Sequence, residues 1–151
     1  MDQIKHSDFL KEAIEIAFRA RQQGNHPFGA VLVFDNQIIL TSANSVVTEN
    51  DVTRHAELNL VSEASRQFSQ NVINRCTLYS SAEPCVMCSG AIYWSGIRKV
   101  FFALSCGELE VVAGKSLLIE SRDVFSRGIE QTEIIGPFLE EEAIGPHKDF
   151  W

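Results

Sequence analysis

The pattern of apolar and polar residues in the first third of the chain predicts a helix followed by a β-hairpin. Apolar residues recur at helical spacing between positions 9 and 18, and Gly24-Asn25 then ends this amphipathic helix. Two apolar runs, at residues 30–34 and 37–41, are separated only by Asp35-Asn36. A short polar connection between two apolar runs is typical of a β-hairpin.

The rest of the chain alternates between helical and strand patterns. Helices are predicted at residues 55–66 and 85–95, and strands at residues 77–81, 99–104 and 132–135. Residues 105–129 fit one or two helices, and the chain from Leu139 onward fits a final helix or tail. Because the connection before the last strand is far longer than a hairpin needs, the last two strands should be parallel. The pattern predicts a three-layer α/β/α sandwich with a mixed five-stranded sheet.

Length and composition indicate one globular domain that spans residues 1–151. The chain is 45% hydrophobic and 22% charged, which is typical of a folded protein that buries a sizeable core. No run approaches the roughly 20 apolar residues of a membrane span, and the first residues are too polar for a secretory signal. We therefore expect a cytoplasmic protein, whose four cysteines are thiols or metal ligands rather than disulfides.

The charge of the chain argues against a nucleic acid as partner. The net charge is −7, and residues 101–151 alone hold ten acidic and four basic residues, a net charge of −6. An acidic surface repels the phosphate backbone, although these residues also fit a simple solvated face. We expect a small-molecule partner and no membrane partner.

Two short motifs carry the candidate chemistry, and each lies where a predicted helix begins. They are His55-Ala56-Glu57 and Pro84-Cys85-Val86-Met87-Cys88. A Cys-x-x-Cys at a helix start places two sulfurs near one point, where the helix dipole favours thiolate. With His55 they form a three-ligand set for Zn²⁺ that leaves one position open for water, which is the arrangement of catalytic zinc. Glu57 is then placed beside that water.

Other interpretations of these motifs predict different chemistry. A Cys-x-x-Cys alone is also found in thioredoxin-like redox pairs, but such a pair has no use for an upstream His-x-Glu. A closed structural zinc site would need a fourth protein ligand, for which the chain offers four candidates without zinc-finger spacing: Cys76, Cys106, His26 and His147.

Together the two motifs resemble the signature of the zinc-dependent nucleoside and nucleobase deaminases of the cytidine/deoxycytidylate deaminase superfamily. The resemblance covers about half of the chain. It includes Pro27-Phe28-Gly29, Ala43-Asn44 and Gly90-Ala91-Ile92-Tyr93-Trp94. It implies a cytidine deaminase-like sandwich, a Zn²⁺ cofactor and a hydrolase that acts on the C–N bond of a cyclic amidine.

The resemblance also implies roles for individual residues. His55, Cys85 and Cys88 are expected to bind zinc, and Glu57 to move protons between water, the ring nitrogen and the leaving ammonia. The substrate would be contacted by residues at four further positions: Phe28, Asn44, Ala56 through its backbone N–H, and Trp94. A homodimer is expected as well, with the apolar helix that contains Ile92, Tyr93 and Trp94 at its interface, although these residues also fit a core position.

The substrate is predicted less sharply than the reaction. The motifs resemble guanine and guanosine deaminases most, so guanine in purine metabolism is the first expectation, with tRNA adenosine-to-inosine deamination or cytosine deamination as alternatives. Guanine deaminases usually carry an Asp-Asp turn after the fourth strand, where this chain has Glu108 and Glu110. The terminal Phe150-Trp151 fits either a lid over the base or a docked tail. A zinc protein without catalysis is a further alternative, against which the intact Glu57 argues.

Overall fold

The computed structural model describes residues 2–114 and 117–151, and side chains from Lys5 onward within these ranges. Thirteen helices and strands occur in the described residues, followed by a 3₁₀ turn at Gly145–His147. In chain order they are α1 (Asp2–Gln22), β1 (Gly29–Phe34), β2 (Gln37–Ala43), α2 (Val46–Glu49), α3 (Ala56–Gln67), α4 (Gln70–Ile73), β3 (Thr77–Ala82), α5 (Val86–Ser95), β4 (Lys99–Leu104), α6 (Cys106–Ala113), α7 (Ser121–Phe125), β5 (Glu133–Ile135) and α8 (Glu140–Ala143).

The strands form one mixed sheet in the order β2-β1-β3-β4-β5. β1 is antiparallel to both β2 and β3, whereas β3, β4 and β5 are parallel to one another. The predicted hairpin, the parallel pairing of the last two strands and the five-stranded mixed sheet are therefore confirmed. Two of the four-residue helices, α2 and α4, were not predicted because so short a segment shows no helical periodicity.

The central strands are buried on both faces, which is why their residues form nearly continuous apolar runs. Ala30 and Leu32 of β1 point to the layer that contains α3, α5 and α7, whereas Val31 and Val33 point to the layer that contains α1 and α8. Successive side chains of a strand alternate between faces, so one sheet supports two separate cores. This is the three-layer sandwich predicted from the sequence.

Gly29 opens β1 because no larger residue fits there. A Cβ atom at this position would lie 2.4 Å from the backbone oxygen of Ala13 and 2.7 Å from the Cβ of Ile16. The missing side chain lets α1 approach the sheet closely.

The long connection after β4 forms two helices, α6 and α7, as the sequence pattern allowed; Lys115 and Ser116 within it lie outside the described residues. The chain after Leu139 forms α8 and the 3₁₀ turn rather than one long helix. No helix among the described residues is long and apolar enough to cross a membrane.

Candidate metal centre and substrate cavity

The two sequence motifs meet because α3 and α5 begin beside each other at one edge of the sheet. His55 is the N-cap residue of α3, and Cys85 is the N-cap residue of α5. Cys88 lies in the first turn of α5 and is fully buried. The Nδ1 atom of His55 lies 3.6 Å from the Sγ atoms of both cysteines.

This geometry fits a tetrahedral zinc ion. Bond lengths of about 2.3 Å to sulfur and 2.0–2.1 Å to nitrogen, at a tetrahedral angle, put the two donor atoms about 3.6 Å apart. The three donor atoms lie within 4.8 Å of one another, and they form the one cluster of this kind among residues 2–114 and 117–151. Cys76, Cys106, His26 and His147 do not join it, so the described residues supply three ligands and leave a position open.

Of the two cysteines, Cys85 is prepared to bind as a thiolate, whereas the hydrogen bond to Cys85, together with burial, raises the pKa of Cys88. A hydrogen bond from Cys88 and the neighbouring His55 ring lower the pKa of Cys85 to about 4, although burial opposes this shift. The hydrogen bond with Cys85 in turn raises the pKa of His55. A thiolate, rather than a thiol, is the form of cysteine that ligates a metal.

Glu57 lies beside the metal centre without joining it. It is one residue into α3 beyond Ala56, its side chain is buried, and it lines the same cavity as His55 and Cys85. Burial, together with the negative charge of Cys85, raises the pKa of Glu57 to about 7. A buried carboxyl group with a raised pKa beside a metal centre is typical of a proton-transfer group.

A cavity of about 420 Å³ opens over the metal centre. Its walls are mostly apolar and come from segments distant in the sequence. The lining residues are His26, Phe28, His55, Glu57, Glu83, Cys85, Val86, Met87, Cys106, Leu109, Ala113, Leu117, Ile119 and Trp151. A concave, largely apolar space with a few polar groups around a metal centre is the usual form of a small-molecule site.

Of the four positions expected to contact substrate, one lines this cavity and two others adjoin residues that line it. Phe28 is part of its wall. Ala56 is buried between His55 and Glu57 at the start of α3. Asn44 is buried behind Phe28, to whose backbone oxygen its own N–H donates at 3.1 Å, and it is not among the lining residues.

Trp94 is not brought to the cavity. Its side chain is 83% exposed and packs edge-on against Tyr93, at a ring-centroid distance of 5.3 Å. Trp94 is therefore not one of the residues that line the cavity. Ile92 is fully buried in the core, as one of the two interpretations of this segment predicted.

Neither glutamate of the 108–110 segment faces the cavity. The segment forms helix α6, which turns Cys106, Leu109 and Ala113 toward the cavity, while Glu108 and Glu110 lie on other faces. In place of the acidic turn that guanine deaminases usually carry, this chain has a helix with an apolar inner face.

The sequence interpretation assigned neither His26 nor Glu83 a place in the cavity wall. His26 was considered only as a possible zinc ligand, yet it lines the cavity and packs against Trp151 at a ring-centroid distance of 5.5 Å. Glu83, which directly precedes the second motif, was assigned no role. Its position next to Pro84-Cys85 was the one feature of the sequence that could have indicated a place near the metal centre.

Glu83, between β3 and the start of α5, joins the starts of α6 and α7 to the segment that carries Cys85. Its carboxylate accepts hydrogen bonds from the backbone N–H of Cys106 at 3.0 Å, and from the backbone N–H and the hydroxyl of Ser121 at 2.8 and 2.6 Å. Burial alone would raise the pKa of Glu83, but these hydrogen bonds outweigh it and lower the pKa. The first N–H groups of a helix lack partners within that helix, so Glu83 satisfies two otherwise unpaired donors.

We expect Glu83→Ala to lower the free energy of unfolding by about 2–4 kcal/mol, since it removes charge-assisted hydrogen bonds and leaves buried donors unsatisfied. Urea unfolding of the zinc-loaded protein measures this change. Glu120→Ala is the matched control, because Glu120 is exposed beside Ser121, and it should change the free energy by less than about 0.5 kcal/mol. Equal midpoints for the two variants would contradict the assignment.

Comparison with known proteins places the chain in a family. Residues 3–104 match the family described as the cytidine and deoxycytidylate deaminase zinc-binding region. A probable cytosine deaminase of Schizosaccharomyces pombe is 44% identical over 148 residues, which is 95% of this chain and 90% of that protein. The guanine deaminase of Bacillus subtilis is 43% identical over 101 residues, which is 66% of this chain and 65% of that protein.

A solved structure supports the same assignment. A protein from a study of A-to-I editing by tRNA:A34 deaminases superimposes with a TM-score of 0.77 at 28% identity, covering 93% of this chain and 99% of that one. The matched region contains both motifs, and the donor set fits zinc. The chain belongs to the cytidine and deoxycytidylate deaminase family, as a zinc-dependent hydrolase that deaminates nucleobases or nucleosides.

Proposed function

We propose that the protein deaminates a free nucleobase, with cytosine ahead of guanine as the substrate. The observation that carries this proposal is the cavity itself, whose walls are flat or apolar side chains and whose floor is the metal centre. A free base is small, planar and largely apolar on its faces. For cytosine, water would replace the exocyclic amino group, giving uracil and ammonia.

Glu57 is proposed as the residue that moves protons in this reaction. When bound by His55, Cys85 and Cys88, zinc supplies a nucleophile at neutral pH by lowering the pKa of water toward about 7. The Glu57 carboxylate accepts a proton from the attacking water and delivers it to the ring nitrogen. It then accepts the second proton, from the hydroxyl group now on the ring carbon, and delivers it to the amino group, which leaves as ammonia while the C=O bond forms. Without that transfer the amino group would have to leave as an amide ion, which is a very poor leaving group.

Phe28 and Trp151 are proposed to hold the faces of the base. Both line the cavity, with ring centroids 6.3 Å apart and planes at 53°. The backbone N–H of Ala56 is proposed to hold a polar atom of the ring edge, and Asn44 to orient the substrate from behind Phe28. Aromatic walls stabilise a bound base by stacking, in addition to burying its apolar surface.

The choice of cytosine over guanine rests on the segment after β4. The α6 face toward the cavity carries no acidic side chain, and the carboxylate of Glu83 is already used by Cys106 and Ser121. The acidic turn that guanine deaminases usually carry after the fourth strand thus has no counterpart on the cavity wall. The match to the probable cytosine deaminase covers 95% of this chain, whereas the match to the guanine deaminase covers 66% of it.

A free base is favoured over tRNA by charge. The C-terminal third, which supplies the wall residues from Cys106 to Trp151, has a net charge of −6. Contacts to phosphate provide much of the affinity of proteins for nucleic acids, and an acidic surface does not offer them.

A substrate panel tests the proposal. Zinc-loaded protein is given cytosine, guanine, guanosine, adenosine and an anticodon stem-loop, and ammonia and inosine are measured. We expect turnover of cytosine first and of guanine more slowly, and no inosine in the stem-loop. Glu57→Ala protein prepared in parallel reports any contaminating activity. Inosine in the stem-loop without turnover of a free base would contradict the proposal.

We also propose a homodimer, supported by the exposed Trp94 on α5. An indole that is 83% exposed is costly for a single chain but typical of a protein interface. Sedimentation equilibrium should give twice the chain mass, and Trp94→Glu should give a monomer, while Val111→Glu on exposed α6 should leave the mass unchanged. A monomer mass at every concentration would refute the dimer.

A further inference from the structure

The last residues of the described chain form one wall of the cavity, although they are far from the zinc motifs in the sequence. The 3₁₀ turn Gly145–His147 leads to Phe150 and Trp151. Trp151 lines the cavity and is 47% exposed. A terminal segment without a regular element of its own needs contacts elsewhere in the fold to stay in one place.

Arg21, in the last turn of α1, provides such contacts. Its guanidinium donates hydrogen bonds to the backbone oxygens of Pro146, at 3.0 Å, and Lys148. It also lies over the ring of Phe150, 5.4 Å from the ring centroid. Among the residues that the structure describes, no acidic side chain lies within ion-pair distance of Arg21, so its donors are directed to this terminal segment.

His147 connects the segment that Arg21 contacts, residues 146–150, to Trp151. The Nε1–H of Trp151 donates to Nδ1 of His147 at 3.0 Å, and the two rings are nearly parallel at 15°. On its other side the His147 ring packs edge-on against Phe28, at 5.2 Å between centroids. Burial, and then the charge of Arg21, lower the pKa of His147 to about 4, so the ring stays neutral and accepts this hydrogen bond at neutral pH.

We infer that Arg21 is a positioning residue for the substrate: by holding residues 146–150 against the end of α1, it sets Trp151 as a wall of the cavity. This inference rests on the proposed function in one respect, that the cavity receives the base. Arg21 itself does not line the cavity, so its effect on the substrate passes through His147 and Trp151.

The contacts require arginine rather than any positive charge. The planar guanidinium presents several N–H donors in a fixed fork and also stacks on an aromatic face, so one side chain binds two carbonyl oxygens and one ring. A lysine at this position keeps the charge but not the fork, and we expect Arg21→Lys to restore only part of the function lost in Arg21→Gln.

The first experiment observes Trp151 directly and uses no substrate. The chain has two tryptophans, so protein labelled with 5-fluorotryptophan gives two ¹⁹F resonances, which a Trp94→Phe sample assigns. In Arg21→Gln we expect the Trp151 resonance to shift toward that of free, solvated tryptophan. Arg19→Gln is the matched control, because Arg19 lies in the same last turn of α1 but pairs with Glu12 at 3.4 Å. The control should leave both resonances in place.

The second experiment measures kinetics of zinc-loaded variants that keep both tryptophans. We expect Arg21→Gln to raise KM about tenfold and to change kcat by less than about threefold, since binding is weakened while Glu57 and the metal centre are untouched. Arg21→Lys should give an intermediate KM, and Arg19→Gln the KM of the unaltered protein.

Each outcome supports or overturns the inference. An unchanged Trp151 resonance in Arg21→Gln would show that Arg21 does not hold this segment. A shifted resonance with unchanged KM would show that the segment does not set the substrate wall. If the unaltered protein turns over no base, the proposed function fails, and the ¹⁹F spectra still decide whether Arg21 holds Trp151.

Discussion

Replacing Glu57 by alanine is expected to reduce kcat by about 100- to 10,000-fold while the fold and the bound zinc remain. Groups that transfer protons in a transition state contribute rate factors of this size, and Glu57 would serve more than one transfer. Its side chain is buried in the cavity but is not one of the three clustered metal ligands, so its loss should not release the metal.

The measurement is initial rates of ammonia release together with zinc content and thermal unfolding of the same preparations. Glu63→Ala is the matched control, since Glu63 lies on the same helix, does not line the cavity and pairs with Arg66 at 2.7 Å. It should retain full activity. A Glu57→Ala protein with more than about a tenth of the original activity would remove Glu57 from the mechanism.

Replacing Cys88 by alanine is expected to abolish both zinc binding and activity. The unaltered protein should contain about one zinc per chain when it is purified without chelators. Cys88 is fully buried and supplies one of only three ligands, so two remaining ligands would hold the ion weakly. A buried metal centre without its metal also loses the folding free energy that binding contributes.

Elemental analysis and activity test this expectation, and Cys76→Ala is the control. Cys76 is another buried cysteine, but it packs in the core and its thiol donates to the backbone oxygen of Val72 at 3.3 Å. It should keep its zinc, whatever stability it loses. Zinc content that is unchanged in Cys88→Ala would contradict the ligand assignment, as would unaltered protein without zinc.

The metal centre was predictable because its parts are local in sequence and lie at helix starts. His55 and Glu57 are separated by one residue, and Cys85 and Cys88 by one helical turn. Local spacing of this kind limits the directions in which the side chains point, whatever the rest of the fold does. The parallel strands were predictable too, because the length of a connection restricts how two strands can pair.

The cavity walls were less predictable because they depend on contacts between distant segments. Trp94 follows the cysteines on α5 and was expected to contact substrate, but the direction of its side chain depends on how α5 packs between α3 and α7. Glu108 and Glu110 occupy the place of the usual acidic turn, and only the packing of α6 decides that Leu109 and Ala113, rather than these glutamates, line the cavity.

The amino-acid sequence by itself determined the reaction class, the three zinc donors and the order of helices and strands, because each depends on residue type and short-range spacing. Tertiary structure alone decided that Trp151 rather than Trp94 faces the cavity, that Glu83 joins α6 and α7 to the metal centre, and that Arg21 holds a segment 125 residues away. These contacts join segments far apart in the chain, and their free energy depends on how whole layers pack, which no local pattern of residues encodes.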